Sequence, residues 1–147
     1  MAQSKLKALS MEFSVDIVRL VKDLKAKHES IIANQIGRSG TSIGANIYEA
    51  QYAQGKRDFI SKLEIALKKS GETGYWLELL YRTGYIDETT CHLLSSKCKS
   101  LRTMLVASNY IGQKRACCKD TFLQQAHKNI RVPKNPPPGQ SIEALSG

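Results

Sequence analysis

Apolar residues return at intervals of three and four over most of residues 6–111, and no run alternates with a period of two. A 3.6-residue repeat buries one helical face with that spacing, whereas a half-buried strand needs strict alternation, so the pattern predicts amphipathic helices and no sheet. The first stripe is Leu6, Leu9, Phe13, Ile17, Leu20 and Leu24. The second is Ile32, Ile36, Ile43, Ile47 and Ala50, with Ser39 in the place of an apolar residue and an end near Gly55. The third opens at Lys56-Arg57-Asp58 and carries Phe59, Leu63, Ala66, Ser70, Leu77 and Tyr81 on one face, thickened by Ile60, Leu67, Trp76 and Leu80. It is expected to stop at Thr83-Gly84, where glycine takes the left-handed conformation that closes a helix.

The fourth stripe has the clearest start. Asp87 caps the first turn, Glu88 complements the helix dipole and Ile86 staples against Cys91. Cys91, Leu94, Cys98, Leu101, Leu105 and Ser108 then form a regular seam. Four helices of about twenty residues, each ~30 Å long and joined by short turns, predict an all-α, antiparallel up-down four-helix bundle over residues 1–111. Beyond Ile111 the stripe lapses, and Pro133, Pro136, Pro137 and Pro138 lack the amide donor a helix needs. Residues 112–147 are therefore expected to form an extended, basic, Pro-rich tail, with room for a short helix over Lys119–Lys128.

Charge narrows the function. The chain has 22 Lys and Arg against 13 Asp and Glu, a net +9, and the tail alone supplies +4 through six basic and two acidic residues. Such an excess favours polyanionic partners. No run approaches the ~20 apolar residues that span a bilayer, and the N-terminus lacks the apolar core of a signal peptide, so a cytoplasmic protein with no membrane role is expected. The four cysteines lack paired CxxC spacing, and no metal or cofactor is expected. Cys91 and Cys98 read as small core residues, and Cys117-Cys118 as an accessible pair. The histidines, His28, His92 and His127, have no evident catalytic partners, and Glu49 reads more readily as an ion-pair member than as a base. Binding rather than catalysis is the expectation.

Three glycines within Gly37-Arg38-Ser39-Gly40-Thr41-Ser42-Ile43-Gly44 each cost a helix about 1 kcal/mol relative to alanine, so something beyond local propensity favours them. A phosphate-cradling loop is the weaker reading, because neither GxxxxGK[ST] nor GxGxxG is present and no strand precedes the run. Close packing is the stronger one, with Ala33, Gly37, Gly40 and Gly44 as a strip of small residues.

The candidate nucleic-acid contacts are Arg38, then Lys56, Arg57, Lys62, Lys68 and Lys69 on helix three, Lys97, Lys99 and Arg102 on helix four, and Lys114, Arg115 and Lys119 in the tail. They are expected to gather on one positive face, since phosphate neutralisation by Lys and Arg supplies most non-specific affinity. Glu64, Glu72 and Glu78 interrupt that field. No aromatic platform for stacking bases is apparent, so sequence-specific single-strand reading is not expected.

The stretch from Gln35 to Ala50, QIGRSGTSIGANIYEA, followed by Lys56-Arg57-Asp58-Phe59-Ile60-Ser61-Lys62-Leu63-Glu64-Ile65-Ala66, closely resembles the signature of bacterial four-helix-bundle proteins encoded in intervening sequences of 23S ribosomal RNA genes. The resemblance covers roughly residues 5–110. It implies ring-forming homo-oligomers, typically pentamers, with no enzymatic activity. A related branch, the accessory variability determinants of diversity-generating retroelements, implies RNA or DNA and a reverse transcriptase as partners. The resemblance singles out Arg38, Ser39, Ser42, Gly44, Asn46, Glu49, Arg57, Asp58 and Phe59. Their expected roles are architectural, with Arg38 pairing Glu49 or Asp58, and Ser39 and Asn46 satisfying polar groups between helices. The alternative reading is a protein-interaction scaffold with no direct nucleic-acid role.

Overall fold

The computed structural model describes residues 2–128, and the surroundings of side chains over 5–109. Four helices follow one another: α1 (Ala2–Ala26), α2 (Ile31–Ala50), α3 (Lys56–Arg82) and α4 (Glu88–Lys128). No strand occurs among the described residues. The chain divides into two compact units, Met1–Lys114 and Arg115–Gly147, and the first carries the core.

Each helix end has a local cause. Asp87 Oδ1 accepts the Thr90 N–H at 2.7 Å, the expected cap of α4, and hydrogen bonding from Thr90 holds the Asp87 carboxyl below its ordinary range. Gly84, at φ 79°, closes α3: its N–H donates to Tyr81 O at 3.1 Å, while Tyr85 N–H donates to Leu80 O at 3.0 Å. These are the paired bonds of a Schellman end. The end of α1 uses the same device with a histidine. His28 has φ 61°, and Glu29 N–H reaches Leu24 O at 2.9 Å. Glu29 then caps α2 through its side chain, Oε1 accepting the Ile32 N–H at 2.7 Å.

The core comprises Phe13, Ile17 and Leu24 from α1; Ile36, Ile43 and Ile47 from α2; Leu63, Leu77 and Leu80 from α3; and Leu94, Cys98, Leu101 and Leu105 from α4. On α3 the buried series is Leu63, Ala66, Ser70, Thr73, Leu77, Leu80. Thr73 fills the gap that the apolar pattern left open, and the 3,4 spacing then lands on Leu80. Tyr81, expected on this face, turns outward and is 43 % exposed. Cys98 is buried and Cys91 half-buried, both packed in or against the core, and burial pushes the Cys98 thiol up.

Helix α4 also runs further than its stripe. It reaches Lys128 without a break, where the sequence predicts an end near Ile111 and an extended tail with room for a short helix over Lys119–Lys128. The residues after Gly112 are mostly good helix formers and the first proline is Pro133, so nothing local stops the backbone when the core-facing pattern ends. The Pro-rich segment lies outside the described residues. The side chains of Lys114, Arg115, Lys119, Cys117 and Cys118 lie outside them as well.

Candidate nucleic-acid interface

Helix α2 shows different chemistry to its two neighbours. Towards α1 it presents glycine: a Cβ on Gly40 would stand 2.8 and 2.9 Å from Ile17 Cγ1 and Cγ2, and one on Gly44 would stand 2.9 Å from Ser14 Oγ. A Cβ on Gly37 would stand 3.2 Å from Val21 Cγ2. The glycines therefore let α1 lie close, the packing role expected of them.

Towards α3 it presents polar groups, and here the family-motif residues find their places. Ser39 is fully buried and 3.0 Å from the Thr73 hydroxyl, with Lys69 O at 2.8 Å from Thr73 and Ile36 O at 3.4 Å from Ser39 as further acceptors. Each hydroxyl has one proton, so one donates to the other and the second donates to its own helix. Asn46 stays within α2, its Nδ2 donating to Ser42 O at 2.8 Å, and Ser42 Oγ donates to Arg38 O at 2.6 Å. Glu49 accepts from Lys62 Nζ at 2.6 Å, and that contact raises the Lys62 pKa. Asp58 accepts the Gln54 N–H at 3.2 Å. Phe59 is half-buried against the core.

The expected pairing of Arg38 with Glu49 or Asp58 does not form. Arg38 and Glu49 are eleven residues apart on one helix, about 16 Å along its axis at ~1.5 Å per residue, beyond side-chain reach. The Arg38 charge acts instead on Glu72, whose carboxyl is held below its ordinary range chiefly by the Lys69 hydrogen bond at 2.8 Å.

Nor do the candidate cations of α3 and α4 among the described residues gather on one face. Lys62 turns towards α2 and meets Glu49, Lys69 pairs with Glu72 one turn along its own helix, and Lys97 turns towards α1 and meets Asp16 at 2.6 Å. The Arg102 guanidinium lies across α3, donating to Ser70 O at 3.1 Å and standing 3.3 Å from where a Gly74 Cβ would be. Positions on two helices that read as one run along the chain point to different neighbours once the helices pack. Lys68 and Lys99 are exposed and outside every ion pair among the described residues, but stand apart from this seam.

A smaller basic cluster forms where the α2–α3 turn meets the start of α1. Leu6, Ile47, Ala50, Gln51, Phe59, Leu63 and Ser108 line one small cavity at this end, which brings all four helices together. Lys7 Nζ donates to Gln51 Oε1 at 3.1 Å and sits 4.1 Å from the Tyr48 ring centre. Tyr52, in the turn, is 78 % exposed. Lys56 and Arg57 open α3 just beyond it, and among the described residues neither they nor Lys5 and Lys7 join an ion pair. Sequence reading found Lys56 and Arg57 but missed Lys5, Lys7, Tyr48 and Tyr52, because no linear pattern links residue 7 to residues 48–57.

A third feature is apolar. Met11, Val15 and Val18 form an exposed stripe on α1, beside a groove of about 310 Å³ lined by Ser10, Met11, Ser14, Thr41, Gly44, Ala45 and Tyr48. No His, Cys, Asp or Glu cluster among the described residues suits a metal ion, and no described helix is long and apolar enough to cross a membrane.

This is a small all-α protein of four helices. It belongs to the 23S rRNA-intervening sequence protein family, whose sequence model matches residues 3–107. It is also similar to the crystal structure of a protein with unknown function from the S23 ribosomal protein family of Bacteroides thetaiotaomicron, at 45 % identity and a TM-score of 0.73. That likeness covers 75 % of this chain and 99 % of the other. No curated protein matches it.

Proposed function

We propose that this protein acts by binding nucleic acid, RNA foremost, as a homo-oligomer of up-down antiparallel helical bundles in the cytoplasm, without catalysis. The observation that carries the reading is the group of Lys5, Lys7, Lys56 and Arg57 at one end of the core, in no ion pair among the described residues, on a chain of net charge +9. The bundle topology is supported by contact registers that run in opposite order: Gly37, Gly40 and Gly44 meet Val21, Ile17 and Ser14, and Ser70 and Leu77 meet Cys98 and Cys91. The name of the Bacteroides relative's family, a ribosomal protein family, points the same way. An oligomer, five copies by the family resemblance, multiplies the patch. In the retroelement branch of that resemblance the chain serves a reverse transcriptase as accessory subunit. A neighbouring reverse-transcriptase gene with a template repeat supports that role, and a position inside a ribosomal RNA gene opposes it.

The test is a salt titration of binding to a structured RNA. Neutralising about four phosphates predicts an affinity that falls roughly 100-fold for a fourfold rise in salt. A flat response overturns the reading. The exposed stripe of Met11, Val15 and Val18 with its groove favours a second reading, a protein-interaction scaffold. Capture of a protein partner after nuclease treatment, with no retention of RNA or DNA, selects that one.

A further inference from the structure

The end of the bundle that carries Lys7, Lys56 and Arg57 also carries two tyrosines, and their settings differ in an informative way. Tyr48, 41 % exposed on the last turn of α2, has the Lys7 ammonium 4.1 Å from its ring centre. One face of that ring is therefore occupied, and Lys7 is steadied in turn by Gln51 Oε1 at 3.1 Å. Tyr52 lies one turn further on. Its backbone is held by its own N–H donating to Glu49 O at 3.0 Å, and by Ala53 N–H donating to Ala50 O at 3.3 Å, yet its side chain is 78 % exposed. An aromatic ring left open to water on an ordered backbone adds little to folding. Beside cations it supplies what a phosphate contact lacks, a flat surface for a base.

We propose that this end binds single-stranded nucleic acid, with an unpaired base stacked on Tyr52 and flanking phosphates held by Lys7, Lys56 and Arg57. The inference rests on the nucleic-acid reading above and narrows it to a ligand class. Lysine and arginine alone do not discriminate between a duplex and a single strand of equal charge, because both present phosphates. Stacking does discriminate, since the bases of a duplex already stack on one another and only an unpaired base offers its face. Two acidic residues of this end have other partners: Asp58 is turned back on the turn, where its carboxylate accepts the Gln54 N–H at 3.2 Å, and Glu49 pairs with Lys62 at 2.6 Å.

Fluorescence anisotropy of the full chain with labelled oligo(dT), and with a duplex of the same length, tests this. Tyr52→Ala is expected to weaken oligo(dT) binding about 5- to 150-fold while duplex binding and its salt dependence stay where they are. Tyr52→Phe keeps the ring and is expected to keep the affinity. Because Tyr52 lies outside the core, the melting temperature of both variants should match the parent, which separates loss of contact from loss of fold. Unchanged oligo(dT) binding in Tyr52→Ala, or an equal loss for both probes, overturns the stacking proposal while salt-dependent duplex binding leaves the broader reading standing. Absence of salt-dependent binding to either probe overturns both.

Discussion

Helix α2 meets α1 through missing atoms and α3 through hydrogen-bonding ones. On the α1 side Gly40 removes the Cβ that would crowd Ile17, and Gly44 makes room for Ser14. On the α3 side the buried Ser39–Thr73 pair and the exposed Lys62–Glu49 ion pair join the helices, while Lys69–Glu72 forms beside them along α3 itself. The first contact is steric and nearly unforgiving. The second is polar, and its parts differ in value with burial: the hydroxyl pair is desolvated, whereas the ion pairs sit largely in water, where such pairs contribute little.

The steepest way to break this contrast is on the steric side. Ile17 is fully buried, and Ile17→Ala is expected to cost about 2–5 kcal/mol in denaturant unfolding. Gly40→Ala sharpens it. A methyl at 2.8 Å from the stiff, branched Ile17 overpacks at a cost of about 1–3 kcal/mol, against a helix-propensity gain of about 1 kcal/mol, so a net loss of stability is expected. In the Ile17→Ala background the obstacle is gone and Gly40→Ala should stabilise. A sign that stays negative there would show that close approach to Ile17 is not why position 40 is glycine.

The polar side should give smaller numbers. Thr73→Val deprives Ser39 of its partner across the interface and is expected to cost about 1–2 kcal/mol. The Ser39→Ala, Thr73→Val double variant should lose less than the sum of the singles, because no hydroxyl is then left without its partner. Strict additivity in that cycle would mean that each hydroxyl is satisfied by its own helix alone.

The smallest effect is at Glu72. Its pKa lies below the ordinary value of 4.5, chiefly because Lys69 donates to the ionised form, so the contribution is present above that value and is lost as pH falls through the lowered one. Glu72→Gln should therefore differ from the parent at neutral pH and converge with it in acid. A gap that widens on acidification would contradict the assigned direction.

How much was legible depended on whether a signal was local. Asp87 as a cap and Gly84 as a helix end are decided within one turn of chain, and both stand where the spacing put them. The stripe on α3 was misread at its far end: polar Thr73 completes the alternating series as a core position, and the step after Leu77 is then three residues to Leu80 and not four to Tyr81. The candidate site was legible only in part. Lys62, Lys69, Lys97 and Arg102 look like members of one basic run, yet each is drawn to a different neighbour, while Lys7 joins Tyr48 and Gln51 across more than forty residues.

Helix number, helix starts and the small-residue strip of α2 follow from the amino-acid order alone, since periodicity, capping and the absence of a Cβ act within a turn or two. Which side chain meets which carboxylate, and which cations stay outside ion pairs, was decided by packing. Charge acts through space, and only the assembled bundle determines what lies a few ångströms from each ammonium group.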